Sequence, residues 1–514
     1  MQTATVSQQD TGLDYLRRIL LAPVYDVAKE TELTYLSRLS KERNNQIYLK
    51  REDQQPVHSF KLRGAYNRLA NLNEERKARG VVAASAGNHA QGVALSAQKL
   101  GIEATIVMPI TTPEIKVQSV RRLGAQVKLI GTSFNESNSA AIQLAKDENR
   151  VFIPPFDDKD VIAGQGTVGK EILQQLPDAD VVIVPVGGGG LLAGIATYLK
   201  QLKPSIKIIG VEAEDSACLS AAVAAGKPVD LPQVGLFADG VAVKRIGSEN
   251  FPLIRAFCDQ IFTVSNDEIC GAIKEIFEHT RVIAEPAGAV SLAGCIRYSQ
   301  SSVGNEKIVC ILSGANMNFH TLRYVSERCE LAEKKEAVLS VTIPEEKGSF
   351  KKFCQIVGGR VITEFNYRYG DHKQANIFVG VKLTHGESDL TKLVSDLSEH
   401  YTVEDFTDNE LAKLHIRYMV GGQSPVKLQE RLFQFEFPEY PGALEKFLDT
   451  LGGDWNITLF HYRNHGSAIG QVLAGFDVPE EEQLNFFRHL KALNYSFKEE
   501  TNNPAFKQFL QRFA

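Results

Sequence analysis

From about Ile47 to Gly314, short apolar runs rich in β-branched residues alternate with longer amphipathic ones. Residues 81–85, 104–108, 127–130, 181–186, 206–211 and 308–312 read as strands. Between them, residues 88–100, 113–123, 159–176, 191–202 and 267–279 place apolar side chains at helical spacing. This βαβα order with apolar strands predicts an α/β fold built on a doubly wound, mostly parallel sheet covered on both faces. In this reading it fills residues 1–322 as two α/β subdomains.

The pattern changes after Leu322. Residues 323–337 carry Glu327, Arg328, Glu330, Glu333, Lys334, Lys335 and Glu336, and read as a helix leading into a linker. Beyond it the chain repeats itself. Pro344 and Pro438, Gly348 and Gly442, Phe353 and Phe447, and Gly358 and Gly452 each lie 94 residues apart. Phe365-Asn366-Tyr367-Arg368 then matches Phe460-His461-Tyr462-Arg463 at an offset of 95, a slip of one residue. An ordered series at a nearly constant offset predicts two copies of one unit. Each copy reads as strand, Pro-x-x-x-Gly turn, helix, strand, strand, helix, strand, close to the split βαβ plan. Two small α+β modules, over 338–410 and 432–504, are a binding or regulatory architecture.

Composition narrows the partners. At 514 residues the chain is long enough for two or three domains. A net charge of −5 offers no basic surface for nucleic acid or anionic lipid. Met1 to Asp10 is polar and lacks the order of a signal peptide. The uncharged run 181–199 approaches the length of a membrane span, but Pro185 and four consecutive glycines break it. No membrane is expected, and the protein reads as cytoplasmic. Seven cysteines, odd in number and without a C-x-x-C pair, fit reduced thiols and argue against a disulfide framework or zinc ribbon.

Four junctions carry candidate chemistry. In Ser59-Phe60-Lys61-Leu62-Arg63-Gly64-Ala65 a lysine opens a helix just after a strand and a Pro56-containing turn. An amine there leans over the carboxyl end of a strand, where open α/β sheets bind ligands. Such a lysine forms a Schiff base when burial or neighbouring cations lower its pKa. Taken alone, it is more often a solvated charge. In Ser85-Ala86-Gly87-Asn88-His89-Ala90-Gln91-Gly92, amides at a helix N-terminus suit a substrate carboxylate, and Gly87 admits close approach. Asn88 can bond a ring hydroxyl or oxyanion of a cofactor. Alternatively Ser85 or Asn88 only caps the helix, and His89 reads as more structural than catalytic.

Val186-Gly187-Gly188-Gly189-Gly190-Leu191 requires a loop, whose amides can wrap a phosphate with help from the helix dipole. No Gly-Lys-Ser/Thr follows, so it is not a P-loop. Gly188, Gly190 and Gly194 with Glu212 leave a dinucleotide site open, weakened by its place far into the sheet and by Lys61. Leu312-Ser313-Gly314-Ala315-Asn316 ends the last apolar strand and offers a hydroxyl to a ring nitrogen. Glu285-Pro286-Ala287-Gly288-Ala289 brings a carboxylate near it, or caps a helix with one.

In this order the four stretches resemble those of the pyridoxal-phosphate enzymes of fold type II, and among these the threonine dehydratases. The resemblance implies pyridoxal 5'-phosphate held as a Schiff base on Lys61, which also serves as base for the substrate α-proton. It implies cofactor contacts from Asn88, Gly187, Gly188, Gly189, Gly190, Leu191 and Ser313. Ser85, Gly87, Asn88 and His89 would surround the substrate carboxylate. The tandem modules resemble paired ACT-like regulatory domains. The implied reaction converts L-threonine to 2-oxobutanoate and ammonia, the first committed step of isoleucine biosynthesis. Isoleucine would inhibit and valine oppose it, with effector contacts near Glu439, Tyr440 and Leu444, in a homotetramer. Ala86 stands where related serine racemases carry a second serine acid/base, which disfavours racemisation. Cys218 stands where an aspartate ligand would follow Glu212, so no metal is expected. A serine dehydratase without feedback control, or an amino-acid sensor that has lost catalysis, are the alternatives; Lys61 counts against the sensor.

Overall fold

The apolar strands of the first 318 residues divide between two sheets. The structure, a computed structural model, describes residues 8–510 apart from 320, 333–334, 345–348, 359, 361, 370–373, 419–428, 439–445, 448–449, 452–453, 456 and 464–468. Its chain forms two compact units, Met1–Asn318 and Phe319–Ala514.

In the first unit the described strands are β1 (Leu33–Tyr35), β2 (Gln46–Arg51), β3 (Val81–Ala84), β4 (Ala104–Met108), β5 (Gln126–Leu129), β6 (Val151–Phe152), β7 (Val181–Pro185), β8 (Lys207–Ala213), β9 (Gln260–Val264) and β10 (Lys307–Leu312). The larger sheet runs β1-β2-β10-β7-β8-β9 and is parallel except for the edge strand β1. The smaller sheet, β5-β4-β3-β6, is parallel throughout. The chain leaves the larger sheet after β2 and re-enters it at β7, and the strands between pair with one another. β7 is buried along its whole length, as a parallel strand covered on both faces must be.

Pairing of β10 with β2 sets Leu312 beside Arg51. The chain beyond then forms an antiparallel bridge between Gly314 and Ser59. There Phe60 N–H donates to Ser313 O at 3.2 Å, and Ala315 N–H to His58 O at 2.9 Å. The lysine stretch and the serine stretch, far apart in sequence, are thereby stitched together.

A buried ionic cluster lies behind the lysine. Lys50, Glu52, Arg63 and Glu171 are each fully buried. Arg63 grips Glu52 with two bonds of 2.8 Å and Glu171 with one of 2.5 Å. Lys50 Nζ reaches Glu171 at 2.6 Å and donates to Thr31 O at 2.6 Å. Thr31, Tyr25, Thr167 and Gln55 occupy further donors and acceptors of the cluster. Burial alone would raise the Glu171 pKa, yet the charges of Arg63 and Lys50 outweigh it and hold the carboxylate ionised.

The second unit holds two sheets of one plan. Strands β11 (Glu336–Pro344), β12 (Ile362–Tyr369), β13 (Gln374–Lys382) and β14 (Thr402–Asp405) pair in the order β12-β13-β11-β14. Strands β15 (Glu430–Pro438), β16 (Ile457–Arg463), β17 (Ile469–Asp477) and β18 (Ser496–Glu499) pair as β16-β17-β15-β18. Every pairing is antiparallel. The boundary expected at residue 322 falls inside a helix, Thr321–Ala332, and β11 already begins at Glu336 within the expected linker. Glu336 tolerates its buried place because Arg417 pairs with it at 3.3 Å. The two modules share one apolar cluster, including Val338, Phe378, Leu432, Leu473 and Phe506. Asn409 and Asn503 each cap a short helix and hydrogen-bond each other at 3.3 Å. Glu439, Tyr440 and Leu444 lie outside the described residues. Among the described residues, no helix is long and apolar enough to cross a membrane.

Breaking the ionic cluster at one partner leaves buried charge uncompensated. Arg63→Met is expected to cost about 3–5 kcal/mol of unfolding free energy, read as a fall in the urea midpoint of the unit that holds it. A midpoint equal to that of the wild type would contradict the role given to the cluster.

Candidate active site

Lys61 is the first residue of the helix Lys61–Ala70. Its Nζ donates to Pro155 O at 3.1 Å and lies 5.2 Å from the centre of the Phe60 ring. Desolvation pushes the amine down to about 8, against the opposing charge of Glu285. A neutral amine is therefore accessible near physiological pH, as nucleophile or proton acceptor.

Asn88 opens the helix Asn88–Leu100. Gly87 is the N-cap and no side chain caps the helix, so the reading of Ser85 or Asn88 as its cap does not hold. The Ser85 hydroxyl instead accepts from Gly87 N–H at 3.2 Å. Asn88 Nδ2 donates to Glu285 Oε1 at 2.6 Å, and its Oδ1 accepts from Asn316 Nδ2 at 2.7 Å. His89 is buried and its Nε2 pairs with Ile153 O at 2.9 Å. Burial pushes the imidazole down to about 4, with the Lys61 charge adding to the effect. The ring is thus committed to the backbone, in keeping with the reading of His89 as more structural than catalytic. The first amides of this helix have no intrahelical acceptor, so an anion site here would be built from backbone alone.

The glycine loop joins β7 to the helix Gly190–Leu202. Gly189 has φ +90°, which favours glycine. A Cβ on Gly188 would lie 2.3 Å from the Phe156 ring, and one on Gly187 would lie 2.9 Å from Val241 Cα. Side chains are excluded there, so the amides stand bare at a helix N-terminus. That is a cradle for phosphate. Asn250 Nδ2 braces the loop by donating to Gly188 O at 2.6 Å. Leu191 follows in the first turn and is buried.

Two expectations fall here. Glu212 accepts from Leu219 N–H at 2.6 Å and from Ser220 N–H at 2.8 Å, capping the helix Cys218–Ala225 rather than facing a ribose. A Cβ on Gly194 would lie 2.5 Å from Ile162 O, so this glycine serves helix packing. The dinucleotide reading loses both of its supports. Cys218, whose thiol burial pushes up to about 12, donates to Gly187 O at 3.4 Å. Among the described residues no group of three or more His, Cys, Asp and Glu could hold a metal ion.

Ser313 is buried beyond the end of β10, its hydroxyl donating to Ala287 O at 3.3 Å. Glu285 precedes the helix Pro286–Ser299 without capping it through its side chain. Burial, with the nearby charge of Asp239, pushes its carboxyl up to about 7. Three contributors went unseen in the sequence: Pro155 and Phe156, which touch the lysine and the glycine loop, and Asn316, which holds Asn88. Asn316 lies in the stretch that carries Ser313, and the two prolines of Pro154-Pro155-Phe156 mark a stiff connection without pointing to a ligand.

A desolvated amine, a glycine cradle, an amide and a hydroxyl suit pyridoxal phosphate: carbonyl, phosphate, ring hydroxyl and ring nitrogen each meet a fitting group. The family described as pyridoxal-phosphate dependent enzyme matches residues 24–314. The C-terminal regulatory domain of threonine dehydratase matches twice, at 327–416 and 422–510. The biosynthetic L-threonine dehydratase of Salmonella typhimurium is 56% identical over 99% of both chains, and that of Escherichia coli is 57% identical over 97% of both. The structure of the processed form of threonine deaminase isoform 2 from Solanum lycopersicum is similar at a TM-score of 0.62 and 48% identity, covering 63% of this chain and 95% of that one. A maize serine racemase covers 61% of this chain and 96% of its own, at 33% identity and a TM-score of 0.58. The chain belongs to the biosynthetic threonine dehydratases, pyridoxal-phosphate-dependent ammonia-lyases with a C-terminal regulatory domain.

Proposed function

We propose that the chain dehydrates and deaminates L-threonine to 2-oxobutanoate and ammonia at the Lys61 site, as the committed step toward isoleucine. In the same proposal isoleucine binds the regulatory unit and inhibits, valine opposes it, and the protein works as a cytoplasmic homotetramer. The observation that carries the catalytic part is the convergence of a desolvated Lys61 amine, the Asn88–Glu285 pair and the glycine loop.

Pyridoxal phosphate, when bound, supplies an electrophilic carbonyl and a conjugated sink for electrons from the substrate α-carbon. The amides of Gly187, Gly188, Gly189 and Gly190 with Leu191 would neutralise its phosphate. Asn88 would bond its ring hydroxyl and Ser313 its ring nitrogen, the latter as a neutral partner. Lys61 would anchor it and, once released, take the α-proton, which its lowered pKa permits near neutral pH. Backbone amides around Ser85, Gly87, Asn88 and His89 would orient the carboxylate. Ala86 has no group to return a proton from the other face, so loss of the β-hydroxyl is favoured over racemisation. The product then hydrolyses to the oxo acid and ammonia.

The regulatory part rests on the repeated sheets and the double match of the regulatory family. Allostery requires that effector and substrate favour different states, and a shared core between modules lets either one bias both.

Oxo-acid release from L-threonine, suppressed by isoleucine and restored by valine, is the expected result; Lys61→Ala should remove it. Release that isoleucine leaves untouched would overturn the regulatory assignment, and release retained by Lys61→Ala would overturn the catalytic one. In cofactor-free protein, competitive labelling of Lys61 by an anhydride should show a midpoint near the amine's value of about 8. A midpoint at the ordinary lysine value of about 10.4 would contradict the desolvated site.

A further inference from the structure

We propose that Glu285 is a positioning residue that, together with Asn316, locks the amide of Asn88 in one orientation and couples the cofactor ring to a titratable proton inside the site. The inference rests on the pyridoxal-phosphate reading of the site and gives Glu285 and Asn316 a task to which that reading assigns no step.

The geometry admits one arrangement. Asn88 meets an acceptor on one side, Glu285 Oε1 at 2.6 Å, and a donor on the other, Asn316 Nδ2 at 2.7 Å. Turning the amide over would set donor against donor and acceptor against acceptor. Asn316 Nδ2 is itself anchored on Val57 O at 2.8 Å. Glu285 N–H bonds Gly314 O at 3.3 Å, so the chain Glu285–Asn88–Asn316 is fixed to backbone at both ends, at Gly314 and at Val57. With one Asn88 N–H spent on Glu285, the other is left to point at a ring hydroxyl.

Glu285 is placed to sense pH. It is 4% exposed. Asp239 raises its carboxyl, while the Asn88 bond, the Lys116 charge and Asn316 N–H lower it; burial dominates and leaves it at about 7. Lys116 and Asp239 form their own pair at 2.9 Å, and Lys61 feels the Glu285 charge in turn. Below this value Glu285 is neutral and accepts one bond from Asn88. Above it, a buried carboxylate tightens that bond and adds negative potential beside the Lys61 amine and the ring.

The test uses full-length protein loaded with pyridoxal 5'-phosphate, following its visible absorption against pH and its affinity for the cofactor. Wild type should show a spectral step with a midpoint at about 7, matching Glu285. Glu285→Gln keeps an acceptor for Asn88 but has no proton to lose; it should abolish the step and bind the cofactor within about threefold of wild type. Glu285→Ala and Asn316→Ala each free the Asn88 amide and should weaken cofactor binding by about tenfold or more, the scale of one strong hydrogen bond. Asn316→Ala should retain the step, and it carries the test if Glu285→Ala does not fold. A step that survives in Glu285→Gln, or wild-type affinity in both alanine variants, would overturn the proposal. Neither readout requires threonine turnover, so a failed substrate assignment would leave this result standing and the two failures distinct.

Discussion

The Arg63 cluster is the constraint on which the catalytic unit turns. Four fully buried charges are costly to desolvate, and they persist only because the surrounding groups meet them: two carboxylates, a guanidinium, an ammonium, and the hydroxyls and carbonyls around them. Glu52 follows β2, Arg63 lies in the Lys61 helix, and Glu171 lies in the helix Lys159–Gln175. The cluster therefore fixes three elements against one another at a point two residues from the lysine. A well-packed apolar replacement could hold the same volume, but it would not specify register in this way. The bridge from Ser59 to Gly314 then carries that register to Ser313 and Asn316.

Inside the site, burial acts on each titratable group in the direction of neutrality. Lys61 and His89 are pushed down, and Glu285 is pushed up. In the proposed site, recognition of phosphate and carboxylate would fall to amides at helix N-termini. The same shifts are linked to stability. His89 and Lys61 bind protons more readily when unfolded, so their cost is present at low pH and fades as pH rises through about 4 to 6.5 for His89 and about 8 to 10.5 for Lys61. Glu285 works in the opposite sense: its contribution is fully present below 4.5 and is lost as pH rises through about 7.

Much of this was legible in the chain. Strand 104–108 and helix 88–100 coincide with β4 and the Asn88 helix because each is a full apolar run or a full amphipathic stretch with clear ends. The 94-residue repeat appears as two sheets of the same order, with β11 and β15 in register. Which strands join which of the two sheets was not legible, because pairing partners leave no mark on local periodicity. β1 and β6 escaped notice for being three and two residues long. Pro155 acts through its carbonyl and Asn316 through adjacency created by the fold; neither role has a local signature. Glu212 misled because an acid ending a strand looks the same whether it faces a ribose or caps a helix.

The most direct test of the central claim, that this fold delivers one desolvated lysine to the cofactor, is to locate the attachment point. Protein loaded with pyridoxal phosphate would be reduced with borohydride, digested, and its peptides weighed. The cofactor's added mass is expected on Lys61. Attachment to Lys50, Lys116 or another amine in its place would contradict the claim.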